Sequence, residues 1–136
     1  MNIFKTLLLQ MAEKLELPIN PSQLESLKLS TISIDDFINE IFKDQQHHTQ
    51  MCLALREYHR NDGGSPEIDA FTIVNAVFNA NESTGRFRTV FKIRYHYTCS
   101  DVRNAANDTI DWNFKIEKDI MLLTGEEPWV REGDEF

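Results

Sequence analysis

Cysteine is scarce in this 136-residue chain: Cys52 and Cys99 are the only two. They allow at most one disulfide and no framework of them. Two free thiols in a reducing compartment is the reading they favour, which makes the expected location cytoplasmic. Positive charge is short as well. Fourteen Lys and Arg against 22 Asp and Glu leave a formal charge of −8. A nucleic-acid backbone is bound by clustered cations, so nucleic acid is an unfavoured partner, whereas an acidic surface attracts a basic protein. No apolar run approaches the roughly 20 residues that cross a bilayer, so no membrane partner is expected. The apolar start of the chain lacks a small-residue cleavage site and reads as a structural helix, not a signal peptide. Internal repeats, a phosphate-cradling glycine loop and a Gly-x-Ser-x-Gly elbow are also missing.

What is present is an ordinary globular composition, 41% hydrophobic and 26% charged, at the length of one domain. The first half has helical rhythm. Ile3, Phe4, Leu7, Leu8, Met11 and Leu15 predict a helix over residues 2–17, stopped by Pro18 and Pro21. Ser22 and Glu25 suggest a capped second helix over 22–29. Ser33, followed by Asp35 and Asp36, opens a third over 33–60, with Phe37, Ile38, Ile41, Phe42, Cys52 and Leu55 on its buried side. The polar residues 45–50 interrupt that stripe and mark a place for a break. Asn61, Asp62, Gly63 and Gly64 end the helical part.

The period then changes. Phe87, Phe91, Ile93, Tyr95, Tyr97 and Cys99 alternate with Arg86, Arg88, Lys92, Arg94 and His96, which is a strand with one face in the core. Strands are expected over 69–80, 86–99 and 109–123, paired as a meander with the middle one central. Phe78 is placed opposite Phe87, and Tyr95 opposite Trp112. The expected fold class is therefore α+β, with N-terminal helices packed on one face of a three-stranded antiparallel meander, followed by an acidic tail over 126–136. On the first strand Phe71, Ile73 and Val77 point away from the aromatic wall. A strand apolar on both faces wants cover, and a homodimer or another partner there would supply it.

Few side-chain sets promise chemistry. His48, Cys52 and His59 share a helix stripe, but His59 lies about 10 Å along the helix from Cys52, too far for one zinc ion. Cys99 and His96 lie on opposite strand faces and are no nucleophile pair. Residues 61–64 match a calcium loop for four positions only. No catalytic residue, metal or cofactor is assigned. The bases of the middle strand have Asp111, Glu117 and Asp119 across the ladder to pair with. The tail holds Glu126, Glu127, Glu132, Asp134 and Glu135 around Trp129 and Phe136. Aromatic anchors among acids form a protein-recognition element, or else Trp129 folds back over the first strand.

In element order, helices and then a long antiparallel sheet, the chain is similar to the cystatin and nuclear-transport-factor-2-like cones. The likeness covers order and no sequence motif. Such cones have four or more strands against the three read here, and they host enzymes, ligand binders and scaffolds alike. Three functions are carried forward. The first is a non-enzymatic protein-binding domain, such as a small acidic inhibitor or immunity-type protein that neutralises a basic partner. The second is a ligand-binding or enzymatic pocket lined by His48, Tyr95, Tyr97 and Trp112. The third is a structural subunit that uses its edge strand in a larger assembly.

Overall fold

The computed structural model describes residues 12–62, 64–96 and 103–128. In chain order its elements are β1 (Lys14–Pro18), α1 (Pro21–Lys28), α2 (Ile34–Ile41) and α3 (Gln45–Glu57). Five strands follow: β2 (Ser65–Glu67), β3 (Phe71–Asn79), β4 (Thr84–His96), β5 (Arg103–Glu117) and β6 (Ile120–Gly125). The six strands form one antiparallel sheet, curled into a half-barrel, in the order β1-β6-β5-β4-β2 with β3 also paired to β4. The three-stranded meander is thus corrected: the sheet is twice that size.

Each correction has a local cause. Residues 14–18 are a strand, not the end of a helix, because Leu15 and Leu17 alternate with Lys14 and Glu16, and β6 offers a partner over five positions. The helix expected over 33–60 is two helices. Asp44 caps α3 by accepting from the Gln46 and His47 amides, and the His47 ring meets the Ile41 carbonyl oxygen at 2.9 Å. The cap of α1 is Asn20, not Ser22, since Pro21 at the first helical position needs no donor. Ser33 caps α2 as its sequence suggests.

The register also moves. Phe87 faces Trp112 and Tyr95 faces Asn104 across β4 and β5, so the stretch 103–108, which falls outside the strand expected over 109–123, is strand as well. It is polar because β6 pairs only with residues 112–117, leaving the start of β5 at an edge. The strand does not run on to Leu123. A two-residue turn at Lys118 and Asp119, with Lys118 at φ 57°, starts β6.

The β3–β4 pairing carries the most consequential correction. Phe71 faces Phe91 and Thr72 faces Val90, then a bulge between Val74 and Val77 shifts the register. Asn75 sits there at φ 56°. An extra residue reverses which side chains face inward. Before the bulge Phe71 and Ile73 pack on the core, and after it Ala76 and Phe78 do. The strand thus turns its apolar side chains to the core in two phases, and of Phe71, Ile73 and Val77 only Val77 is left on the outward face.

The core lies between the inward sheet face and the helices. Trp112, Phe37, Leu17, Ile38, Met51, Leu55, Ile93, Ile110, Met121 and Leu123 are all buried. The inward side chains of β4, from Phe87 to Tyr95, are buried while Arg86, Val90, Lys92 and Arg94 are exposed, as the alternation predicts. Among the described residues no helix is long and apolar enough to cross a membrane.

Candidate functional site

The residues expected to line a pocket are dispersed by the fold. Trp112 is fully buried. Its ring meets Tyr58 edge-on at 6.5 Å and its Nε1–H donates to Thr89 Oγ1 at 3.2 Å. His48 stacks on Phe71 at 4.9 Å. Tyr95 donates its hydroxyl to Asp62 Oδ2 at 2.6 Å. Tyr97 lies outside the described residues. His48, Tyr95 and Trp112 therefore serve three separate contacts.

Nucleophile chemistry fares similarly. Cys52 Sγ is 3.8 Å from His48 Nδ1, the neighbour that helical spacing predicts. Burial, together with the Asp69 charge, pushes the thiol up to about 11, so it stays protonated and a poor nucleophile. His59 is not part of that pair. Its Nδ1 lies 2.7 Å from Asp62 Oδ2 and its Nε2 lies 2.7 Å from Asp108 Oδ2. A histidine with a carboxylate on each nitrogen has no lone pair to offer a substrate. No group of side chains suited to a metal ion occurs among the described residues.

The acidic tail is described only at its start. Glu126 continues the β6 pairing: its amide donates to the Asp111 carbonyl oxygen at 2.9 Å and its Oε1 accepts from the Asp111 amide at 2.7 Å. Its carbonyl oxygen accepts from the Tyr58 hydroxyl at 2.5 Å. Glu127 is half-buried. Trp129, Glu132, Asp134, Glu135 and Phe136 lie outside the described residues.

The outward face of the sheet remains. Among the described residues no helix packs there, and the face mixes apolar with cationic side chains. Val77 is 47% exposed and Val90 36%. Val90 has Thr72 on one side and Thr109 on the other, and Val77 has Arg86 opposite, which in turn faces Asn113. Arg88 is held by Asp111 through two bonds, at 2.7 and 3.3 Å. Arg94 is held by Glu67 and Asp69. His96 Nε2 meets Glu67 at 2.6 Å. Of the acids expected to pair across the ladder, Asp111 does so, while Glu117 pairs with Lys115 on its own strand. Arg86 and Lys92 make no ion pair among the described residues. A groove beside the bulge is lined by Asn75, Val77, Arg86, Arg88, Asp111 and Asn113.

Of the three β3 residues expected to meet a partner, only Val77 stands on this face; Phe71 and Ile73 pack inward. Sequence reasoning missed Val90 and Arg86. Their signal was present in the β4 alternation, where a valine interrupts the charged side. It missed Asp108 because a lone Asp in a polar stretch carries no spacing to mark it. Compared with known proteins, the chain matches no family model, no curated protein and no solved structure.

Proposed function

We propose that the chain is a non-enzymatic protein-binding domain whose contact surface is the outward sheet face around Val77, Val90 and Arg86. The observation that carries the reading is exposed Val77 opposite Arg86, with exposed Val90 four residues further along β4 on the same face; Arg86 has no ion pair, and no helix covers the face, among the described residues. Aliphatic side chains there supply burial, and arginine is a frequent anchor at interfaces. The commitment of His59 and Cys52 to internal contacts supports action by binding over action by chemistry. The charge of −8 would steer a partner that is basic overall, as a small acidic inhibitor or immunity-type protein of the cytoplasm would require. Arg86 would then seat a carboxylate of that partner.

The test is affinity capture from the native lysate at low salt, with the wild-type chain and a Val77→Asp, Arg86→Glu variant side by side. The expected result is a specific protein held by the wild type, lost by the variant and released as salt rises. A protein held equally by both would place the contact elsewhere. Capture of nothing would remove the reading. A second copy of the chain as the captured protein would make the partner a homodimer.

A further inference from the structure

His59 stands in the turn that follows α3, and its surroundings belong to three parts of the fold. Asp62 comes from the same turn, Tyr95 and Phe91 from β4, and Asp108 from β5. The Tyr95 hydroxyl donates to the Asp62 oxygen that also meets His59, and it lies 3.4 Å from His59 Nδ1. The other oxygen of Asp108 accepts from the Thr109 amide at 2.7 Å. Phe91 approaches the imidazole edge-on at 6.1 Å. The His59 side chain is 12% exposed and that of Asp108 17%.

A neutral imidazole has one N–H and one lone pair. Between two carboxylates that lone pair would face an acceptor. Only the imidazolium, with a proton on each nitrogen, makes both bonds, and both are then charge-assisted. We propose that His59, Asp62 and Asp108 form a proton-operated latch that holds the turn after α3 onto the paired strands β4 and β5. Loss of the proton removes one bond and sets a carboxylate against a lone pair. The turn then lifts and uncovers Tyr95 and Phe91, which the closed form keeps 8% and 4% exposed.

Burial by itself lowers the proton affinity of the ring. The hydrogen bonds and charges of Asp108 and Asp62 outweigh it and raise the pKa above the ordinary 6.5. A raised folded-state pKa gives a contribution that is full below about 6.5 and is lost as pH climbs through the higher folded value. The latch thus opens toward alkaline pH, the reverse of a buried histidine that must charge to break a structure.

The experiment is an NMR titration of the His59 ring with amide hydrogen exchange followed over the same range. In the wild type His59 should titrate above 6.5 as an imidazolium with both nitrogens protonated. Exchange at residues 59–62 and 107–109 should quicken through that titration by more than the intrinsic rise with pH. Asp108→Asn should lower the proton affinity of the ring by about tenfold and abolish the step in exchange. Asp62→Asn is the second variant and should act in the same direction, so a failure of one to fold leaves the other. Titration of wild-type His59 at or below 6.5 would overturn the latch, as would exchange that ignores the state of the ring.

Discussion

Trp112 and Thr89 show how one buried polar pair is made tolerable. Both are fully buried, and Thr89 is the only polar residue that is buried among the described residues. The indole N–H donates to the Thr89 hydroxyl, which donates to the Ile110 carbonyl oxygen at 3.1 Å. Each donor finds an acceptor, so the cost of taking both groups out of water is offset. Thr89→Val keeps the shape and removes the acceptor. It should cost about 1–3 kcal/mol in urea unfolding, whereas in a Trp112→Phe background, with no N–H to strand, the same change should cost much less. Equal costs in the two backgrounds would mean the bond contributes nothing. The tryptophan itself was legible as an inward residue from alternation with Asp111 and Asn113. The alternation of β4 also places Thr89 on the inward side with Phe87 and Phe91, but which buried donor it would meet was not legible, because that depends on the register between β4 and β5.

Among the elements, β4 was the most legible and β3 the least. The side chains of β4 keep strict period two over its described length, and that rhythm needs no tertiary information. In β3 the rhythm fails at Asn75, and a failed alternation has two explanations: two buried faces, or one extra residue. The sequence around Phe71, Ile73 and Val77 cannot separate them, and the backbone at Asn75 does. The bulge depends on a residue that accepts a left-handed conformation, which asparagine does better than any β-branched residue. Asn75→Val should therefore destabilise the protein by about 1–2 kcal/mol, while Asn75→Gly should be close to neutral. Thermal unfolding of the two variants checks it. Were valine tolerated as well as glycine, the bulge would not depend on that conformation. Gly85 sits opposite Phe78 next to the same irregularity, and a Cβ there would fall 2.3 Å from the Val77 carbonyl oxygen, so the local backbone approach also leaves no room for repair by neighbours.

At the scale of the whole molecule, the sheet joins the two ends of the described chain. β1 pairs with β6, and Ile19 donates its amide to the Asp119 carbonyl oxygen at 2.7 Å. The Gly125 amide reaches the Glu13 carbonyl oxygen at 2.8 Å, and the Tyr58 hydroxyl from the turn after α3 bonds the Glu126 carbonyl oxygen. Five residues with two leucines are too few to outweigh a long helical rhythm when read along the chain, which is why β1 was illegible. Its partner lies about a hundred residues away. What makes it a strand is the open edge of β6, a property of the assembled sheet. Leu17 is fully buried, with its side chain in the core beside residues from the helices and β6. Leu17→Ala should then weaken the entire domain, by about 2–5 kcal/mol, in a single transition seen alike by far-ultraviolet circular dichroism and tryptophan fluorescence. If β1 were only a loosely attached flap, the same change would leave the main transition where it is and show only as faster amide exchange along β6. A closure made by contacts so distant in sequence also predicts slow folding, since the loop entropy must be met before the last pair of strands gives anything back.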